Sequence, residues 1–135
     1  MYAIKAAIDD LRAAHWQFPR AKTMYGGRKI AVGDTIFVFA SENEGGPGLI
    51  ARGVVTAARA IPPKAGVERQ TPLVSIEVKR TARAKGRLGR AELRPHDDWK
   101  DGKPETELNF KSYRQATNKI VGISEGTEKF LNRFF

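Results

Sequence analysis

Residues 35–40 read Thr-Ile-Phe-Val-Phe-Ala, six positions without a charge and five of them apolar. An extended chain sends alternate side chains to opposite faces, so Ile36 and Val38 point one way and Phe37 and Phe39 the other. Both faces are apolar, which makes this a central strand buried on both sides. Val32-Gly33-Asp34 is the turn that feeds it.

The neighbouring segments read around that strand. Tyr2, Ile4 and Ala6 alternate, which suits a first strand. In Ile8-Asp9-Asp10-Leu11-Arg12-Ala13-Ala14-His15-Trp16 the apolar period changes to that of a helix, with Asp9 or Asp10 as its cap. Pro19 to Lys29 reads as loop, broken by Pro19 and the Gly26–Gly27 pair. Residues 49–61 read as a strand bent at Gly53. Residues 73–82 alternate, with Val74, Ile76 and Val78 inward. Residues 83–109 are polar and rich in Gly and Pro, so they read as loop with one short strand at 90–95. Thr117 to Ser124 reads as a last strand, and the C-terminus as a helix capped by Ser124 with Phe130, Leu131 and Phe134 as its apolar stripe.

Short strands separated by Gly/Pro turns, with helices at the two ends, predict an α+β fold: a small curved, partly closed β-barrel flanked by an N-terminal and a C-terminal helix. At 135 residues the chain is one domain, residues 1–135. It has no cysteine, which excludes disulfides, zinc-thiolate sites and cysteine nucleophiles. No apolar run spans a bilayer, and acids stand where a signal peptide would have its apolar centre, so a cytoplasmic protein is expected.

Charge narrows the partner. There are 24 Lys and Arg against 15 Asp and Glu, a net of +9. Lys79, Arg80, Arg83, Lys85, Arg87 and Arg90 fall within twelve residues that hold no acid. Arg28 and Lys29 belong to a second basic stretch. Both lie near aromatics, as expected of a surface that meets the phosphates of a nucleic acid, though a merely solvated face has the same composition.

Catalytic signatures are absent from the sequence. There is no phosphate-binding loop and no nucleophile elbow. His15 and His96 lack ligand spacing, and the pairs Asp9–Asp10 and Asp97–Asp98 read as a cap and a turn. No metal, no cofactor and no enzymatic activity are expected.

The order of elements resembles the EVE domain of the PUA-like superfamily and, more distantly, YTH domains. The residues carrying the likeness are Tyr-Ala-Ile-Lys-Ala-Ala (2–7), Ala-Val-Gly-Asp-Thr-Ile-Phe-Val-Phe (31–39), Gly-Leu-Ile-Ala-Arg-Gly-Val-Val (48–55) and residues 115–135. Thr117 and Asn118 stand where the family often has a Ser-Arg pair, and Tyr2 where it often has Trp. The signature of the related ASCH group is not present.

The resemblance implies a barrel whose mouth holds a flipped, often methylated base. Carried onto this sequence, the pocket candidates are Lys5, Ala6 and Ala7 at the end of the first strand, Trp16 as a cage aromatic, Phe39 and Ser41 at the rim, and Asn118 reading a base edge. Trp16 reads equally as core, and Phe39 reads as core before it reads as rim. The expected partner is DNA or RNA, with the protein a monomer or a weak homodimer. The other readings are a small nuclease or modification-dependent hydrolase using His15 or His96 with nearby carboxylates, and a nucleoside or small-molecule sensor with the same pocket.

Overall fold

A computed structural model describes residues 1–135. Six strands close into a barrel in the order β1-β3-β4-β5-β2-β6: β1 Tyr2–Ala6, β2 His15–Met24, β3 Thr35–Ala40, β4 Gly48–Ile61, β5 Leu73–Arg83 and β6 Lys119–Gly122. The pairs β1–β3 and β2–β6 are parallel and the other four antiparallel. Three short helices, α1 Arg90–Leu93, α2 Pro104–Leu108 and α3 Glu125–Asn132, pack outside it. No helix is long and apolar enough to cross a membrane.

The doubly apolar strand explains the layering. Ile36 and Val38 point into the barrel with Ile4, Trp16, Phe18, Val55, Ile76 and Val78. Phe37 and Phe39 point outward and are fully buried beneath Leu93, Leu108 and Leu131 of the three helices. Burial of each such phenylalanine contributes about 1.5–3 kcal/mol, so the helices are held by β3 rather than by propensity of their own. β5 alternates as its sequence predicts, β4 shifts register at Gly53, and Ser124 caps α3 by accepting the Thr127 amide at 3.2 Å.

Four expectations are corrected. The N-terminal flanking helix does not form: residues 7–14 are an irregular loop, and His15 already belongs to β2. The Asp10 carboxylate takes the Arg12 amide at 3.0 Å, a local bond that competes with a helix. Trp16 and Phe18 alternate with exposed neighbours, the period of a strand. The loop expected from Pro19 is also strand as far as Met24, because Pro19 sits where the β2–β5 register shifts, and a bulge tolerates a missing amide.

In the 83–109 segment, residues 90–93 are helix rather than strand. Its first turn is closed by the Gly89 amide donating to Glu92 at 2.7 Å. Pro104 opens α2, which continues into a π-helical turn at Asn109–Tyr113. The barrel is closed rather than partly open, since β6 bridges β1 and β2.

Candidate nucleic-acid interface

Strand direction sorts the chain between two barrel ends. β1, β3 and β5 finish at one end, where β2, β4 and β6 begin. This mouth therefore gathers Lys5, Ala6, Ala7, Trp16, Ser41, Arg83 and Asn118. The sheet edges are locked together there. The Ser41 amide donates to the Ala6 carbonyl at 2.9 Å, and the Asn118 amide to the Lys5 carbonyl at 2.7 Å. Asn118 adopts φ 61°, its carbonyl accepts the Lys22 amide, and its side-chain NH₂ donates to the Arg20 carbonyl at 2.9 Å. Its side-chain nitrogen thus joins strands.

A polar cluster lies beside this mouth on the outer face of β1 and β3. Lys5 is only 4 % exposed, and Ser41 only 1 %. The Lys5 ammonium sits 4.7 Å from the centre of the Tyr113 ring and donates to the Gln115 carbonyl at 3.3 Å. The Ser41 hydroxyl is buried and has no hydrogen-bond partner within the protein. Natural proteins rarely leave such a group unsatisfied, because its desolvation costs about 1–3 kcal/mol.

Glu42 organises the next layer. Its carboxylate accepts the Tyr113 hydroxyl at 3.0 Å and the Arg90 amide at 2.6 Å, while the Arg90 guanidinium donates to the Asn43 side chain. Gly48 and Gly89 permit this. Gly48 has φ +90° and lies against the Leu88 carbonyl, where a side chain would collide with backbone, and a Cβ on Gly89 would meet Glu42 at 2.5 Å. Burial pulls the Lys5 ammonium below its usual range, opposed by the charge of Glu42 and aided by that of Arg90. Burial, the Glu42 charge and the Glu42 hydrogen bond raise the Tyr113 phenol, so it remains a donor at any physiological pH.

Outside Tyr113 opens a cleft of about 260 Å³ lined by Arg90, Arg94, Asn109, Tyr113 and Arg114. It holds three guanidinium groups and no carboxylate. Such groups bind phosphate in a forked geometry and stack on flat rings. The π-helical turn presents the last three residues, a kind of irregularity common at functional sites.

Trp16 is 7 % exposed, belongs to the barrel core and donates its indole N–H to the Asp10 carbonyl at 3.0 Å. Phe39 is fully buried, edge-on to Tyr113 at 6.2 Å, so it supports the cluster from beneath instead of forming a rim. Ala6 faces the barrel interior, and Ala7 is exposed beyond the strand. Lys79, Arg83, Lys85, Arg87 and Arg90 are exposed at or beyond the mouth end of β5.

Arg80 acts within the fold instead. Its guanidinium donates to the carbonyls of Arg12 at 2.7 Å and Ala13 at 2.6 Å, holding the 7–14 loop. Arg28 and Lys29 follow β2 at the opposite end of the barrel, so the two basic stretches do not form one surface. Glu42, Arg94, Asn109, Tyr113 and Arg114 were invisible as a site in the sequence.

Among His, Cys, Asp and Glu side chains, no three gather as a set able to hold a metal ion. What the cluster offers is a buried amine, a buried hydroxyl and surrounding cations, a set suited to reading the edge of a ring and holding the phosphates beside it.

No protein-family pattern matches the chain, and no curated protein matches it. Solved structures do. The chain is similar to the DUF55 domain of human thymocyte nuclear protein 1, at 15 % identity and a TM-score of 0.64, over 96 % of this chain and 94 % of that one. It is similar to the same degree to human THYN1 in complex with DNA containing 5-methylcytosine, at 15 % identity and a TM-score of 0.64, over 96 % of this chain and 93 % of that one. A hypothetical protein from Leishmania major gives 18 % identity and a TM-score of 0.63, over 98 % of this chain and 91 % of that one. The likeness is one of fold: the small closed barrel is shared with these solved structures.

Proposed function

We propose that this chain is an EVE-type module that binds nucleic acid by seating one base, of the methylated-cytosine class, at the barrel mouth, and that it does so without catalysis. The observation that carries the reading is the buried Ser41 hydroxyl without an internal partner, together with the buried Lys5 ammonium held on the Tyr113 ring, which lines the cleft of Arg90, Arg94 and Arg114. A base edge gives Ser41 the polar partner that the fold does not, and gives Lys5 a further acceptor beside the Gln115 carbonyl. Arg90, Arg94 and Arg114 hold the flanking phosphates and offer flat faces to the ring. The shared fold with a protein solved on 5-methylcytosine DNA supports the ligand class.

The test is a titration with oligonucleotides identical but for one cytosine or one 5-methylcytosine, as DNA and as RNA. Tighter binding of the methylated strand with both strands left intact supports the proposal. Equal affinity for the two removes base recognition, and cleavage of either strand replaces the binding module with an enzyme.

A further inference from the structure

A second hollow of about 230 Å³ lies on the other side of the α2–π-helical segment. Its aromatic walls are Tyr25, Trp99 and Phe110. Trp99 is 70 % exposed and Tyr25 49 %, an unusual cost for two large rings unless something covers them. Tyr25 is held there by backbone geometry. It adopts φ 52°, uncommon for a bulky residue, and its carbonyl lies against Gly122, where any side chain would collide.

The chemistry of the ligand follows from what already touches these rings. The Lys111 ammonium lies 5.1 Å from the centre of the Tyr25 ring, and the Lys100 ammonium 5.4 Å from that of Trp99. The lysines already on these rings disfavour a cationic guest such as a methylated amine, and Lys111 is paired at 3.3 Å with Glu107, which also lines the hollow, so the walls suit a neutral flat ring that stacks. One contact links the hollow to the barrel-mouth cleft. Arg114 lines that cleft, and its guanidinium stacks 4.3 Å from the centre of the Phe110 ring, which lines this hollow.

We infer that the hollow bounded by Tyr25, Trp99 and Phe110 seats an unpaired base of the same nucleic-acid strand whose other base occupies the barrel mouth. This rests on the nucleic-acid reading of the mouth and adds the path of the strand, across Arg114 and Phe110.

The experiment compares two probes: 5-methyl-dCMP, which reaches only the mouth, and a single-stranded oligodeoxynucleotide with one central 5-methylcytosine, long enough to pass both places. Trp99→Ala and Tyr25→Ala are expected to weaken the oligonucleotide about 5- to 150-fold, the range of one base–aromatic stack, and to leave 5-methyl-dCMP unchanged. In the wild type the oligonucleotide, but not the nucleotide, shields Trp99 emission from acrylamide. Trp99 is a surface residue, so its variant folds. If both variants bind the oligonucleotide as the wild type does, while Arg90→Ala weakens it, the second base site is wrong and the mouth stands. If the wild type binds neither probe, both readings fall.

Discussion

The Tyr113 hydroxyl donates to the Glu42 carboxylate at 3.0 Å, joining positions 71 residues apart. One bond therefore fixes the π-helical turn against the residue that follows Ser41, and sets the wall of the cleft. A hydrogen bond to a charged group is worth about 1.5–3 kcal/mol. Tyr113→Phe should lower unfolding free energy by that amount in urea melts. It should also loosen the cleft wall, seen as faster amide exchange in residues 109–115.

Trp16 distinguishes a barrel-core residue from a cage wall. It is packed among the interior side chains and tethers the 7–14 loop through its indole N–H. Trp16→Ala should cost about 3–5 kcal/mol, the range for emptying a large aromatic site. The folded fraction should still prefer methylated cytosine. A variant that keeps its melting temperature and loses that preference would put Trp16 in the base site.

Glu107 makes stability depend on pH. Burial works to raise its carboxyl. Hydrogen bonds from Ser124 and Thr127, with the Lys111 ammonium, outweigh burial and hold it below the usual glutamate range. A carboxyl lowered in the fold stabilises above its unfolded value, about 4.3, and that contribution fades as pH falls through the folded value. Glu107→Gln should therefore be less stable than wild type by about 1.5–3 kcal/mol at pH 7, and the gap should close in acid. A gap that is constant from neutral to acid pH would contradict the role of the charge.

The basic stretch after β5 predicts salt dependence. Arg83 and Arg87 are exposed, and Arg87 has only a 3.6 Å pairing with Glu92. Each phosphate contact adds about −0.7 to −0.9 to the log–log slope of affinity against salt. Arg83→Ala with Arg87→Ala should flatten the slope by about two contacts' worth and weaken all sequences alike. Arg80→Ala should instead free the 7–14 loop, because its guanidinium holds two carbonyls there. An unchanged slope in the double variant would make the stretch a solvated face.

What the sequence revealed and what it hid have physical reasons. The period-2 pattern of β5, the two apolar faces of β3 and the Ser124 cap are local signals, and all three persist in the fold. Ile8, Leu11 and His15 imitate a helix only by spacing; the strand signal of Trp16 and Phe18 starts inside that window, and Pro19 hides its continuation. Closure depends on β2–β6 pairing, such as Thr23 with Ile120, which no local pattern announces. Lys5 and Ser41 could be singled out through resemblance, but Glu42, Tyr113 and Arg114 meet only once the helical layer docks on Phe37 and Phe39.

In the proposed function Lys5 and Ser41 read a base at the barrel mouth. The most direct measurement of that claim is the affinity ratio between methylated and unmethylated oligonucleotides for wild type, Ser41→Ala and Lys5→Met, each first shown to be folded by circular dichroism. The expected result is a wild-type preference for 5-methylcytosine that both substitutions abolish, with the salt-dependent binding of the arginines retained. Folded variants that discriminate as well as the wild type would contradict the claim.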